Sequence, residues 1–161
     1  MKLKVYVRYY ASYCFIRPYA KGDWMDLKAR EPFEGKNGDL TYIPLGVAIE
    51  LPPGFEAIMA PRSSTPKKYG FIVPNSIGVI DNSYCGDEDE WKCPALFFKD
   101  GVVHEGERIC QFRIQLSQKA SVWDKLKWLF CNGIEFIEVE HLRGESRGGF
   151  GTTGKGEIAF A

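Results

Sequence analysis

Arg62, Ser63, Ser64, Asp81 and Tyr84 fall within one stretch, Ala60 to Gly86, and their types suit the parts of a nucleotide. A guanidinium beside two hydroxyls and their backbone N–H groups can make forked, charge-assisted hydrogen bonds to phosphate oxygens. Asp81 is the carboxylate that would activate a water, three residues before the Tyr84 ring. Each has a plainer alternative: Asp81 before Asn82 also fits an Asx turn, and Tyr84 an aromatic in a strand wall. The stretch reads as a Pro-Arg-Ser-Ser turn followed by a β-rich hairpin with small residues paired in it.

The chain that must position these groups has 161 residues, which fits one domain able to bury roughly two-thirds of its unfolded surface. Its 21 basic and 21 acidic residues give a formal net charge of zero, so there is no broad field for nucleic acid or an anionic membrane. A polyanion would have to be held by a local cluster. Five scattered cysteines without CxxC spacing, with only two histidines, read as reduced thiols rather than a zinc site. No run approaches the ~20 apolar residues of a membrane span and the first residues do not resemble a signal peptide, so a cytoplasmic protein is expected.

Leu3, Val5, Val7 and Tyr9 alternate with polar neighbours, the period of a half-buried strand. After a Gly-Asp turn and a short Asp26-Leu27-Lys28-Ala29 run, a second strand is expected near Leu40. From Tyr42 onward, short apolar runs are broken by Pro44, Gly46, Pro52, Pro53 and Gly54, and more follow at 70–74, 78–80, 95–98, 108–116 and 134–140. Many short strands in one domain predict an all-β barrel or jelly roll. One segment departs from this: Val122, Leu126, Leu129 and Phe130 recur at helical spacing, with Ser121 as N-cap and Asn132-Gly133 as a stop. The helix, within 121–133, is expected to pack its apolar stripe on the barrel; its two tryptophans, Trp123 and Trp128, keep open a partner-binding or membrane-lying role. From Arg143 the chain is glycine-rich, which suits either a flexible tail or backbone that wraps phosphate.

Five separated blocks in this order resemble the five motifs of the trimeric dUTPase family: GDWMDLKA, PRSS, NSIGVIDNSYCG, GERICQ and RGGFGTTG, spanning Gly22 to Gly154. The third and fifth are the most specific. The resemblance implies a β-clip or distorted jelly-roll subunit with one short additional helix, residues 1–142, and a flexible arm, 143–161, that closes over an active site. It implies Mg²⁺-dependent hydrolysis of dUTP to dUMP and pyrophosphate, lowering dUTP and supplying dUMP for thymidylate synthesis, in a homotrimer with sites at subunit contacts.

Carried over motif by motif, the resemblance implies that Asp81 polarises the water attacking the α-phosphorus, and that Tyr84 lies against the deoxyribose and excludes a 2′-hydroxyl. Uracil would be read along the hairpin from Asn75 to Ile80, by Asn75 and the backbone of Gly78, Val79 and Ile80. Arg62, Ser63, Ser64 and Gln111 become phosphate ligands, and Asp26, with Gln111 through water, orders Mg²⁺. In the fifth block Phe150 is the lid over the base, and Arg147, Gly151, Thr152 and Thr153 meet the β- and γ-phosphates.

Four features depart from the family pattern. Glycine-to-aspartate spacing in the first block aligns better at Asp26 than at Gly22; Ser83 replaces a frequent aspartate; Arg147 directly precedes the glycine pair, making Arg143 a rival phosphate ligand. Lastly, the acidic run from Gly86 to Trp91 and the 121–133 helix look like additions. An acidic run with a Trp resembles dUTPases of Gram-positive bacteria and their phages, with Trp91 as a rival lid. Some phage members also bind a repressor, so a regulatory interaction protein is one alternative; dCTP deaminase, which shares the fold and a related Arg-Ser-Ser motif, is another.

Overall fold

Alternation, not length, makes the strands of this protein, whose computed structural model describes residues 1–18 and 22–150. In β1 (Leu3–Tyr9), Leu3, Val5 and Val7 are fully buried while the residues between them reach outward. β2 (Met25–Lys28) repeats the pattern with Met25 and Leu27 inside and Asp26 and Lys28 outside. The chain continues through β3 (Phe33–Gly35), β4 (Leu40–Pro44), β5 (Val47–Glu50), β6 (Phe55–Pro61), α1 (Thr65–Tyr69), β7 (Phe71–Ile72) and β8 (Gly78–Ile80). It is completed by β9 (Lys92–Phe97), β10 (Gly101–Val103), β11 (Arg108–Leu116), α2 (Val122–Phe130) and β12 (Ile134–Glu138).

The strands form small sheets in the orders β12-β1-β5, β10-β3, β2-β11-β6-β8 and β4-β9-β7, a jelly-roll-like all-β arrangement as the sequence predicts. Phe55, Phe71, Phe97, Phe112 and Trp91 lie among the fully buried side chains between the sheets. Phe71 meets Phe97 at 5.4 Å between ring centroids, and Trp91 meets Phe112 edge-on at 5.2 Å. Each such ring contributes roughly 1.5–3 kcal/mol by leaving water.

Three expectations are corrected. Two strands, β2 and β3, precede Leu40, because Met25, Leu27 and Gly35 are buried and find partners far along the chain, in β11 and β10. The stretch 60–86 is not a hairpin: β7 pairs with β9, β8 pairs with β6, and the five-residue α1 stands between the Pro-Arg-Ser-Ser turn and β7. Finally, α2 begins as predicted, with Ser121 and Asp124 forming a reciprocal capping box, but its apolar stripe faces away from the barrel. Trp128 packs on Phe55 at 5.5 Å and Asp124 lies against Gly54, one turn apart on the same face. That orientation leaves Val122, Trp123, Leu129 and Phe130 each more than two-thirds exposed, with Leu126 nearer the edge.

Candidate active site

β11 sits between β2 and β6, and its register places Gln111 opposite both Asp26 and Ala60. Cys110 and Phe112 point into the core, so Gln111 points to the outer face, as Asp26 does from β2. Arg62 follows at the end of β6. Its turn is tied to β11 by the buried Thr65, whose hydroxyl accepts from the Arg62 N–H at 3.2 Å and donates to the Ile109 carbonyl at 2.7 Å. Asp26, Arg62, Arg108 and Gln111 line an open cavity of about 700 Å³, to which Arg17 and Lys28 also contribute. Asp26 bridges two guanidiniums, 2.7 Å from Arg62 and 3.1 Å from Arg108, and Gln111 donates to the Pro61 carbonyl at 3.3 Å. Four basic side chains around one carboxylate suit a polyphosphate. Ser63 and Ser64 are exposed on the adjacent turn and are not part of the lining.

A second site forms around β8. Val79, Ile80, Asp81, Tyr84, Arg147 and Phe150 line a cavity of about 240 Å³, and an adjoining one of about 130 Å³ adds Asn75, Gly78 and Trp91. Gly78 is opposite Met59, and a Cβ on it would meet the Met59 side chain at 3.0 Å, so the small residue admits close packing there. Asp81 takes a hydrogen bond from the Ser83 N–H at 2.8 Å and another from the Ser83 hydroxyl, and pairs with Arg147 at 3.0 Å. The Asx turn and the charged role thus coexist. The Ser83 hydroxyl first, then its N–H and Arg147, hold the Asp81 carboxyl below the usual carboxylate value despite partial burial. Ser83, the departure from the family pattern, is thus the main contributor to the lowered Asp81 pKa. Tyr84 donates to the Glu90 carbonyl at 3.0 Å, and burial foremost pushes its phenol up to about 12, so it is a neutral ring. Phe150 packs edge-on to Tyr42 at 4.8 Å and under the Lys92 ammonium at 5.5 Å.

The two sites share no lining residue. Asp26 and Gln111 project from the outer face of the β2-β11-β6-β8 sheet toward its β2 edge, whereas β8, which carries the second site, is the strand at the opposite edge.

Residues 18–124 match the dUTPase family model. The chain is 45% identical over 139 residues, 86% of its own length and 89% of the other, to the SPbeta prophage-derived deoxyuridine 5′-triphosphate nucleotidohydrolase YosS of Bacillus subtilis strain 168. It belongs to the dUTPase family. A deoxyuridine 5′-triphosphate nucleotidohydrolase of Rickettsia canadensis is 39% identical over 132 residues, covering 81% of this chain and 80% of that one. Among solved structures, a dUTPase from Streptococcus mutans superposes with a TM-score of 0.62 at 27% identity, over 70% of this chain and 93% of that one. A mutant dUTPase of S. aureus phage phi11, described as coordinating a structural Mg(II) ion, reaches the same TM-score of 0.62 at 15% identity, over 73% and 94%, a likeness of fold alone.

Against the motifs of that dUTPase family, the structure brings Asp81, Tyr84, Asn75, Gly78, Val79, Ile80, Arg147 and Phe150 together on one side and Arg62, Gln111 and Asp26 on the other. Gly151, Thr152 and Thr153 lie outside the described residues. Asp26 stands in a strand, not a turn. Arg143, the other arginine considered, pairs with Glu50 at 2.7 Å and stacks over the Tyr6 ring, apart from both cavities of its own chain. Trp91 is a core residue rather than a lid, being 1% exposed against Phe112. Its indole N–H has no hydrogen-bond partner among the described residues, a cost of about 1–3 kcal/mol set against the area it buries.

The residues that sequence reasoning missed are in the acidic run it treated as an addition. Glu90 pairs with Arg30 at 2.7 Å and accepts from the Gly46 N–H, and Asp89 is fully buried. Here the run receives the arm. Gly86 bridges Gly144, and a Cβ on Gly144 would lie 2.2 Å from the Cys85 sulfur, so only glycine allows that approach. Contacts to the body run along the arm from Arg143, through Ser146, Arg147 and Gly148, to Phe150. The available signal was a pair of acids beside a tryptophan, an unusual composition for a surface loop.

Among the described residues no three His, Cys, Asp or Glu side chains converge on a metal position. The donor set at the larger cavity, one carboxylate and one amide flanked by guanidiniums, fits a cation held mainly by phosphates and water.

Proposed function

We propose that this dUTPase hydrolyses dUTP to dUMP and pyrophosphate at sites assembled between copies of the chain, in a homotrimer. The observation that supports this reading is the separation of the family's motif residues into cavities that share no lining residue. A second copy would then present its larger cavity to the β8 side of the first, so that one nucleotide meets both. On the β8 side, Asn75 and the backbone of Gly78, Val79 and Ile80 read the uracil edge, and cytosine, with donors and acceptors exchanged, leaves those groups unpaired. The Tyr84 ring lies against the deoxyribose where a 2′-hydroxyl would clash.

Asp81, kept ionised by Ser83 and Arg147, accepts a proton from the attacking water. The water oxygen bonds to the α-phosphorus, the bond to the bridging oxygen breaks, and pyrophosphate leaves with the electron pair. Arg62, Gln111, Ser63 and Ser64 bind phosphate oxygens, and Arg147 meets the β- and γ-phosphates with Gly151, Thr152 and Thr153. Asp26, with Gln111 through water, would hold Mg²⁺, whose charge offsets that of the phosphates. Residues 1–142 act as the body, and the arm, 143–161, brings Phe150 over the base. Five unpaired cysteines support placement in the reducing cytoplasm.

The test is pyrophosphate release from dUTP, dCTP, dTTP and UTP, with and without Mg²⁺, alongside mass in solution. Rapid release from dUTP alone, by a species of three chains, is expected. Full activity in a monomer would overturn the shared site.

A second reading, a protein-binding role for α2 toward a regulator such as a repressor, is favoured by the exposed Val122, Trp123, Leu129 and Phe130. Its test is retention of partner binding by an Asp81→Asn variant that no longer releases pyrophosphate, with loss of binding in Trp123→Ala.

A further inference from the structure

Helix α2 stands on the body by one face and offers the other to solvent. Asp124 lies against Gly54 and Trp128 against Phe55, and these two contacts fix its rotation. At 3.6 residues per turn, Val122, Trp123, Leu126, Leu129 and Phe130 then share one outward arc of about 120°. Their exposures run from 39% at Leu126 to 79% at Trp123. Soluble domains rarely display so many large apolar groups side by side, so the arc marks a contact surface. The charges around it are of one sign. Lys125 and Lys127 follow directly on its two sides, and Lys119 is exposed in the turn before the helix. The one acid of the helix, Asp124, is turned inward, where it accepts from the Ser121 N–H and hydroxyl. At the other end the Asn132 N–H donates to the Met1 carbonyl at 2.9 Å, which brings Met1 and Lys2, both exposed, beside the last turn. Glu135, an exposed acid after the helix, stands opposite Lys4 in the register of β1 with β12 and is offset there.

We propose that α2 is an in-plane anchor for an anionic lipid surface, sinking its apolar arc among the acyl chains while Lys125 and Lys127 reach the lipid phosphates. The shape and the charge of the face select this occupant. A single helix standing off the body is convex, so it enters a soft layer, to a depth of roughly 5–10 Å, without needing a fitted groove. Lysines on both flanks lay their stems along the apolar side and keep their ammoniums at the headgroup level. Because the chain as a whole is neutral, the attraction is carried by this local set, which matches negative headgroups on either side of the arc. No helix among the described residues is long and apolar enough to cross a bilayer, so the contact is with one leaflet. Nine residues give weak, reversible attachment on their own. In the homotrimer proposed above, rotation about the three-fold axis keeps the copies of α2 at one level. A flat surface met by one is then met by all, and attachment strengthens through effective concentration. The inference goes beyond the reaction, since none of these residues lines either cavity, and it names a different occupant from the regulator considered for the same face.

The experiment is co-flotation of the full chain with vesicles of phosphatidylglycerol and phosphatidylcholine in equal parts, and with phosphatidylcholine vesicles alone. Wild type is expected to float with the anionic vesicles at low salt and to be released as salt rises. Lys125→Gln together with Lys127→Gln should weaken that binding by at least about thirtyfold, at roughly fivefold for each charge removed. Leu129→Glu should abolish it. Both variants should unfold at the wild-type temperature and hydrolyse dUTP at the wild-type rate, since the substituted side chains are exposed and lie outside the cavities. Tryptophan emission should shift to the blue on binding, and Trp123→Phe should remove that shift while flotation persists. Equal flotation with neutral vesicles, undiminished binding by the lysine pair, or no flotation of wild type would overturn the proposal; in the last case the protein-binding reading of the face stands alone. A wild-type species larger than three chains that Leu129→Glu returns to three would place a second copy on α2 and overturn it as well.

Discussion

The two halves of the site are built in different ways. The larger cavity is a consequence of register: Asp26, Gln111 and Ala60 are neighbours on adjacent strands, and Thr65 locks Arg62 beside them. The β8 half has no such ladder behind it. Asp81, Ser83 and Tyr84 leave the end of a three-residue strand, and the remaining wall is supplied by an arm whose Arg147 is 66 residues from Asp81. A half built on a ladder is preformed, whereas one built on a docked arm depends on each anchor.

Removing the carboxylate from the β8 half should have the largest effect. Asp81→Asn is expected to lower kcat by about a thousandfold with little change in KM, measured as pyrophosphate release, since a general base contributes roughly 10²–10⁴-fold. An equal loss in KM would place Asp81 in binding instead. Next, Arg62→Ala should cost about tenfold to hundredfold in kcat/KM, mainly through KM, because it removes charge-assisted phosphate contacts from a cavity that otherwise persists. If kcat alone fell, the ladder-built half would have a role in the chemical step and the contrast would blur.

Phe150→Ala should cost about threefold to tenfold in kcat/KM for dUTP, the range of one aromatic contact. The smallest effect is expected from Ser83→Ala, read in the pH profile. The Ser83 hydroxyl is the first cause of the lowered Asp81 pKa, so its loss raises that pKa toward 3.8. Asp81 then protonates at higher pH as acid is added, and the acid limb of kcat/KM should move upward while the rate at neutral pH barely changes. An unmoved limb would mean that the N–H of residue 83 and Arg147 suffice to lower the Asp81 pKa.

Much of this was legible along the chain. Strand β8 and strand β11 stand at the residues their apolar runs indicated, and α2 starts at the Ser121 cap. The catalytic blocks likewise appear in family order, and most of their described members line one of the two cavities. These are local properties, since alternation, capping and motif spacing are satisfied within a few residues. Trp91 illustrates what was not. At the end of an acidic run it read as a rival lid, yet it is core, because Asp89 and Glu90 find partners in the arm and in Arg30.

The amino-acid order by itself determined that the protein is a short-stranded β domain of the dUTPase family, and it marked Asp81, Tyr84, Arg62 and Gln111 as the candidates for its chemistry. Only the tertiary structure decided that 60–86 splits between two sheets, that α2 turns its apolar stripe outward, and that the acidic run clamps the arm. The physical reason is the same in each case. A residue's periodicity is set by its neighbours in sequence, but the partner that buries it is chosen by contacts across the chain, which no local pattern encodes.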